Sequence, residues 1–309
     1  MMIGDVMKRL LSLLFIVTII FSTTACGKTE DSDKLSVVTT IFPYYDFANK
    51  ISNGLADVKM LISPGSDIHS YEPTPSDISA VENCDLFIYN GGESDAWVDS
   101  MLNSLGENKP NTLRMMDFVT PLTEVDADHK EGDEFDEHIW LSPTNAQNLL
   151  GIIGTEMGEL DVKNQSTYKS NYTSYMNEIS AVSSTIQSAV DSADSKKIIV
   201  GDRFPMLYFT NRYGIEWECA FPGCSSETEP SLSRMSKLKD TIKKENVKSI
   251  IKLDMSGNNV ADTLADETGA KVVTFYPCET ISNEDYNRGE TYATLMTRNM
   301  TAIKEALSR

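Results

Sequence analysis

The chain contains three histidines, His69, His129 and His138, so any metal site that uses imidazole nitrogen must draw on these residues. His69 lies in residues 64–77, after an apolar run at residues 58–62 that predicts a buried strand. A Pro-Gly pair predicts a turn between the two. His69 is therefore expected on a loop at the carboxyl end of a strand, where open α/β sheets place their ligand sites. A lone loop histidine would ordinarily be a hydrogen-bonding residue, so metal binding requires a second candidate ligand.

His138 provides that second candidate. It follows an acidic segment and precedes an apolar triplet and the pair Ser142-Pro143, which predicts the start of a helix. Neutral imidazole is a good ligand for zinc. Two histidines on loops in the same half of the chain therefore predict a shared metal site.

The acidic segment at residues 124–137 contains a glycine and predicts a loop. One interpretation is a solvated loop with no specific ligand. The other is an accessory flap that gathers cations, because carboxylates favour hard cations or transient contact with zinc. The candidate flap residues are Asp126, Asp128, His129, Asp133 and Glu134. His129 alone is insufficient for high affinity.

Strands are predicted to alternate with helices in both halves of the chain, which indicates an α/β fold with doubly wound parallel sheets. Residues 159–200 contain no glycine or proline and carry an apolar stripe at helical spacing, so they predict a long helix. We interpret it as a rigid backbone helix that joins two lobes. The predicted N-terminal lobe, linker helix and C-terminal lobe are residues 35–158, 159–195 and 196–309.

The N-terminus predicts export and lipid anchoring. A basic pair and a short apolar run precede a small residue and Cys26, which has the form of a bacterial lipoprotein cleavage site. We therefore predict a signal peptide at residues 1–25, lipidation of Cys26 and a polar tether at residues 26–34. An ordinary secretory signal is the alternative, because Thr23 replaces the usual branched aliphatic residue.

Composition and missing motifs narrow the possible functions. The formal net charge of −19 disfavours binding to nucleic acid, whose phosphates require a basic face. The sequence lacks the His-Glu-x-x-His motif, the Gly-x-Ser-x-Gly elbow and the phosphate-binding P-loop. We therefore expect a binding protein and not an enzyme.

Several stretches match one known family in order. They are residues 39–43, 64–77, 136–143, 204–214 and 229–231, together with the long helix and the terminal helix. In these features the sequence resembles the extracellular solute-binding proteins of zinc and manganese ABC importers, over essentially the whole mature chain. The resemblance implies two α/β lobes joined by a rigid helix, with a metal in the cleft between them. It also assigns the first two metal ligands to His69 and His138.

The ligands expected from the C-terminal lobe depart from the family pattern. The family commonly has His or Glu three residues before the phenylalanine that matches Phe204, but Gly201 stands there. Asp202 is a candidate replacement, or it could instead cap the following helix. The last ligand is usually an aspartate after the final strand, where Tyr276 stands with Glu279 nearby. A phenol is a poor ligand at neutral pH unless the metal lowers its pKa.

Cys224 and Cys278 flank these altered positions. Our main interpretation is a disulfide between them, because the predicted compartment permits disulfides. Ligation of zinc by the thiolates is the alternative. Glu227 is a further candidate ligand, and together with Asp202 it would make a harder site that favours manganese.

We therefore expect a monomeric, lipid-anchored receptor that chelates zinc, or alternatively manganese, and delivers it to an ABC permease and its ATPase. Metal binding should weaken on acidification as the imidazoles become protonated. The alternatives are a surface adhesin or metal sensor on the same fold and, more remotely, an unrecognised metallohydrolase, because a fold alone does not establish function.

Overall fold

The computed structural model of the chain describes residues 34–125, 131–223 and 230–309. The predicted features outside these ranges are the signal peptide at residues 1–25, tether residues 26–33 with Cys26, and the site candidates Asp126, Asp128, His129, Cys224 and Glu227. The side chain of Asp133 also lies outside the description. Within the described ranges, none of the helices combines the length and apolar character needed to span a membrane.

The first parallel sheet is built from the N-terminal part of the chain. Its strands are β1 (Leu35–Thr39), β2 (Ala56–Met60), β3 (Leu86–Tyr89) and β4 (Asn111–Arg114). They are parallel and lie in the order β2-β1-β3-β4. Their connections contain the helices α1 (Phe42–Ser52), α2 (Pro75–Glu82) and α3 (Ala96–Leu105). The predicted alternation of strands and helices is confirmed here.

Helix α2 fixes the end of the loop that carries His69. Its cap is Thr74, because Pro75 fits the first helical position. The Thr74 hydroxyl accepts a hydrogen bond from the Asp77 amide at 3.3 Å. Oδ2 of Asp77 accepts one in return from the Thr74 amide at 3.1 Å.

The acidic segment is more ordered than predicted. Residues 123–135 contain two short antiparallel strands, β5 (Thr123–Val125) and β6 (Glu131–Phe135). The prediction of a loop is therefore wrong for these strands. Backbone pairing decides the outcome, since strand preference depends on cross-strand context more than on side-chain composition. The amide of Asp136 donates to the Leu122 carbonyl at 2.9 Å, so the pairing ends immediately before His138.

Two long helices follow the hairpin. They are α4 (Pro143–Leu160) and α5 (Gln165–Asp191). The 27 residues of α5 span about 40 Å at 1.5 Å per residue. This helix is shorter than the predicted linker at residues 159–195, because the chain turns between α4 and α5. Oδ2 of Asp161 holds that turn by accepting hydrogen bonds from Asn164 Nδ2 and the Tyr168 hydroxyl, both at 2.7 Å. The lobe boundaries stay a prediction.

A second parallel sheet occupies the C-terminal part of the chain. Its strands are β7 (Lys197–Val200), β8 (Glu216–Cys219), β9 (Ser249–Leu253) and β10 (Lys271–Phe275), in the order β10-β9-β7-β8. The helices of this part are α6 (Leu207–Tyr213), α7 (Leu232–Lys244), α8 (Val260–Thr268), α9 (Asn283–Asn287) and α10 (Tyr292–Ala306). Helix α5 packs against α1, α4 and α10, so it contacts elements from both ends of the chain.

A buried carboxyl joins these helices. Helix α1 begins at Phe42, because Pro43 is tolerated in a first turn. Asp46 therefore lies inside α1. Its Oδ2 accepts hydrogen bonds from the Tyr175 hydroxyl of α5 at 2.5 Å and from the Tyr292 amide of α10 at 3.1 Å. Burial raises the pKa of Asp46 to about 6, although these hydrogen bonds act in the opposite direction.

We predict that Asp46→Asn changes how stability depends on pH. The raised pKa means that the folded chain binds more protons than the unfolded chain between about pH 4 and pH 6. Over this window the free energy of unfolding should fall with rising pH, by up to about 3 kcal/mol relative to the variant. Urea unfolding at pH 4, 5, 6 and 7 measures this difference. Asp99→Asn, an exposed change on α3, is the control, and identical pH profiles for wild type and Asp46→Asn would contradict the assignment.

Candidate metal centre

His69, His138 and Glu279 come together from the loops that follow β2, β6 and β10. One ligand atom from each lies within 4.8 Å of the other two. His138 Nε2 and Glu279 Oε2 are 3.5 Å apart. Nitrogen and oxygen ligands bound at about 2.0–2.1 Å to a tetrahedral zinc are about 3.4 Å from each other. The spacing of these groups therefore fits a single small cation between them.

Ser94 and Glu137 orient the His69 ring. The Ser94 hydroxyl gives its one proton to Glu137 Oε1, since an ionised carboxylate only accepts hydrogen bonds. The Ser94 oxygen, 2.9 Å from His69 Nδ1, is then the acceptor of the Nδ1–H. Because the proton is on Nδ1, the lone pair of the neutral ring is on Nε2, the form that a metal requires. The loop itself is held where Asp67 Oδ1 accepts the His69 amide at 3.1 Å.

Glu137 is held in a space that only glycine leaves open. The carboxylate is buried, and its Oε2 accepts the amide of Ser94 at 3.1 Å. A Cβ atom on Gly92 would lie 2.7 Å from this Oε2, and Gly92 also has a φ of +97°, which disfavours other residues. Asn90 Nδ2 donates to the backbone carbonyl of Glu137 at 2.9 Å. The Gly91-Gly92 turn after β3 thus brings Ser94 and Glu137 to His69.

His138 is held by the residue two positions before it. Its side chain is almost completely buried, with 1% exposed. Oδ1 of Asp136 accepts the His138 amide at 2.9 Å and lies 3.3 Å from Nδ1 of the ring. A carboxylate on one nitrogen of a histidine whose other nitrogen faces the ligand position is the arrangement found in metal sites. Both histidines therefore present Nε2 to the same point.

Glu279 is fixed by the chain around it. Its backbone carbonyl accepts the Phe42 amide of α1 at 3.2 Å, and the Ile281 carbonyl accepts the Gly65 amide at 2.8 Å. Trp140 Nε1 donates to the Pro277 carbonyl at 2.8 Å. These contacts attach the loop after β10 to the part of the chain that carries both histidines. Glu279, one of the four second-lobe candidates, is thus brought to the site.

Asp202 does not join the three groups. Asp202 lines the same cavity, but its oxygens accept hydrogen bonds from Asn258 Nδ2 at 2.5 Å and the amides of Arg203 and Leu253 at 2.9 and 3.1 Å. It organises the loops after β7 and β9, and it does not cap α6.

Among the described residues, Tyr276 is not one of those that line the cavity. Its amide donates to Asn299 Oδ1 at 2.7 Å, and its ring lies under the Arg298 guanidinium at 5.4 Å. Tyr276 as a metal ligand stays a prediction, whereas Glu279, three residues later, lies with the two histidines.

The structure describes one of the two cysteines of the predicted disulfide. Cys278 is a buried free thiol, and its Sγ donates to the Tyr276 carbonyl at 3.3 Å. Burial, reinforced by nearby carboxylates, raises the pKa of this thiol well above its usual value. Its backbone adopts a φ of +60°, which turns the chain immediately before Glu279. Its proposed partner, Cys224, lies outside the described residues.

Most of the predicted flap residues lie outside the described ranges, but the structure describes Glu134, which is one of them, and the neighbouring Glu124. Glu134 is exposed on β6 and does not belong to the three-ligand group. Glu124 on β5 is half-buried, and burial together with Asp136 raises its pKa. Its carboxylate lies beside Gly223, so the hairpin contacts the C-terminal part of the chain there.

Sequence reasoning missed the partners that orient the histidines, namely Ser94, Asp136 and Glu137. Asp136 and Glu137 directly precede His138, and this proximity was a usable signal, because a carboxylate next to a metal-binding histidine often holds its other nitrogen. Ser94 gave no comparable signal, since it is 25 residues from His69 in sequence.

We predict that Cys278 reacts with a thiol reagent only after unfolding, because 1% of its surface is exposed. In a mature chain without Cys26 and with Cys224→Ser, Ellman's reagent should label none of Cys84, Cys219 and Cys278 under native conditions and all of them in urea. Mass spectrometry of the mature chain that keeps Cys224, without reductant, is the second measurement. A cross-linked peptide that contains Cys224 and Cys278 would contradict the free thiol.

The chain is similar in sequence to known zinc-uptake and zinc-binding proteins. The family model described as zinc-uptake complex component A, periplasmic (ZnuA), matches residues 37–306. The high-affinity zinc uptake system protein ZnuA of Bacillus subtilis is 31% identical over 298 residues, covering 92% of this chain and 93% of that protein. The zinc-binding lipoprotein AdcA of Streptococcus pneumoniae is 28% identical over 290 residues, covering 91% of this chain but 58% of AdcA.

A solved structure agrees with these matches. The Zn(II)-bound ZnuA-like domain of Streptococcus pneumoniae AdcA aligns with a TM-score of 0.75 and 26% identity, covering 89% of this chain and all of that domain. It has the same two-lobed α/β architecture as the present chain. The model match over most of the length, together with the Bacillus relative, establishes that the chain belongs to the ZnuA family of zinc-uptake components.

Proposed function

We propose that the chain captures zinc outside the cell and passes it to an ABC importer. The observation that carries this proposal is the convergence of His69, His138 and Glu279, with both histidines presenting Nε2 to one point. Two imidazoles and one carboxylate are a donor set that suits zinc better than manganese, which prefers oxygen ligands. The zinc named in the descriptions of the relatives supports the same metal.

The described residues supply three ligands, whereas a tetrahedral zinc takes four. Cys224 and Glu227 stay candidates for the remaining position. A site of three protein ligands has one position available for another donor, which can belong to the protein or arrive with the metal.

The cellular setting is also a proposal. We infer that Cys26 carries a lipid anchor, that the mature chain works as a monomer on the outer side of the membrane, and that its partners are a permease and its ATPase. The family description as a periplasmic uptake component and the lipoprotein relative support this setting. We further propose that the chain binds and releases metal without catalysing a reaction. An adhesin role remains the alternative, and it requires retained binding to a host surface in a variant that has lost the metal.

We predict that His69→Ala, His138→Ala and Glu279→Ala each weaken zinc binding by at least about 100-fold, since losing even an outer partner of a metal ligand costs about 10–100-fold. Calorimetric titration of the metal-stripped chain measures the affinity. Wild type should bind one zinc, more weakly at pH 5 than at pH 7, because the imidazoles must be neutral.

His129→Ala is the matched control for these variants and should retain high affinity. Zinc binding unchanged by any of the three ligand variants would contradict the site. Tighter binding of manganese than of zinc would replace the metal in this proposal.

We predict that Ser94→Ala and Glu137→Gln weaken zinc binding by roughly 10–100-fold while leaving its stoichiometry at one, because they release the proton on His69 Nδ1 from its acceptor. Nitrogen chemical shifts of the His69 ring distinguish the two tautomers and should show more of the Nε2–H form in both variants. The neighbouring change Glu93→Gln, at an exposed position, is the control. Unchanged tautomer populations would contradict the positioning role.

A further inference from the structure

The cavity that holds the three ligands is much larger than a metal ion. Its volume is about 470 Å³, enough for a small organic molecule beside the cation. Its wall includes the loops after β7 and β9 as well as the loops that carry the ligands. Arg203, Ser256 and Asn258 of these two loops line the cavity. A cation alone does not require a wall of this extent or polarity.

Arg203 is the unusual member of this wall. Its side chain lines the cavity and is only partly exposed. Within residues 34–125, 131–223 and 230–309, its guanidinium forms no ion pair and no hydrogen bond; only its backbone amide is engaged, by Asp202 Oδ1 at 2.9 Å. A partly buried arginine without a partner is costly, since charge removed from water needs compensation.

Carboxylates nearby do not compensate it. Asp67, Asp202 and Asp254 line the same cavity, yet none forms an ion pair with Arg203. Asp202 already accepts hydrogen bonds from three groups, and Asp67 accepts the amide of His69. Asp254 lies near Arg298 instead. These three aspartates thus interact with groups other than Arg203. The arginine lines the cavity in which a bound ligand would lie.

Backbone hydrogen bonds of the two preceding residues fix the position of the main chain at Arg203. Gly201 donates its amide to the Ile251 carbonyl at 2.9 Å, and the Asp202 carbonyl accepts the Phe221 amide at 3.2 Å. A Cβ atom on Gly201 would lie 2.5 Å from the backbone of Ala261, so no metal-binding side chain fits at that position without a shift. In the family that the sequence resembles, a metal ligand commonly stands at the position of Gly201. In this chain that position is a glycine, and Arg203 follows two residues later.

A second polar group in the wall also lacks a partner. Thr280, next to Glu279, lines the cavity, and its hydroxyl has no hydrogen-bond partner in the part of the chain that the structure describes. Among the described residues, the cavity thus combines a guanidinium that has no ion partner with three metal ligands. Guanidinium groups recognise carboxylates by paired, charge-assisted hydrogen bonds.

We propose that this cavity accepts zinc together with a small carboxylate chelator, of which one donor completes the metal coordination and a further carboxylate pairs with Arg203. The inference rests on the proposed zinc-binding function and specifies the chemical form of its cargo. It involves only ligand exchange at the metal, with no covalent or redox step.

Equilibrium dialysis with radiolabelled citrate tests this proposal. The metal-stripped mature chain is dialysed against citrate with and without one equivalent of zinc, and zinc and citrate are counted in the same samples. Wild type should retain citrate only when zinc is present. Arg203→Gln should retain zinc but bind citrate at least about tenfold more weakly, the loss expected for a charge-assisted pair. Arg114→Gln, which removes an exposed arginine outside the cavity, should behave as wild type.

The outcomes separate this inference from the proposed function. Retention of zinc without citrate in wild type would overturn the chelate proposal and leave zinc binding intact. Equal citrate retention in wild type and Arg203→Gln would overturn the role of the arginine. Failure of wild type to retain zinc at all would overturn both proposals. Thermal unfolding of Arg203→Gln serves as a check, since a lower melting temperature without loss of citrate would assign the arginine to the fold.

Discussion

The attachment of the loop after β10 to the N-terminal part of the chain is the contact on which the candidate site depends. Two backbone hydrogen bonds, Phe42 to Glu279 and Gly65 to Ile281, join segments more than two hundred residues apart in sequence. They place a carboxylate from one sheet beside imidazoles that belong to the other. The indole of Trp140 strengthens the same attachment through Pro277. These contacts of the folded chain therefore bring the ligand groups of the two sheets together.

Hydrogen bonds to Nδ1 of each histidine decide which ring nitrogen carries the proton and which one can bind a metal. Asp136 holds one ring, and the pair of Ser94 and Glu137 holds the other. Both sets of contacts favour the proton on Nδ1, so both rings offer Nε2 as the donor atom. The buried Glu137 has a further consequence, because its backbone and carboxylate connect the end of β3, the Gly91-Gly92 turn and the loop before α4.

Much of the fold and both histidines of the candidate site could be predicted from local sequence. The features that could not be predicted depend on contacts between residues that are distant along the chain. His69 and His138 were identified because strands and turns next to them in sequence determine where the loops lie. The hydrogen-bond partners of Asp202 and Tyr276, namely Asn258 and Asn299, are distant along the chain. Periodicity cannot reveal such hydrogen bonds. The hairpin at β5 and β6 was missed for the same reason, since pairing between strands, and not composition, produced it.

The stiffness of the connection between the lobes has a consequence for how a loaded receptor differs from an empty one. Helix α5 packs on both ends of the chain, and Asp46 links three helices by hydrogen bonds inside this region. Closing a cleft in such a frame would require these contacts to break. The outline of the molecule should then change little on loading, whereas the mouth of the cavity gains the charge of a divalent ion. A permease that must tell the two forms apart would find the difference in the electrostatic potential at that surface and not in its shape.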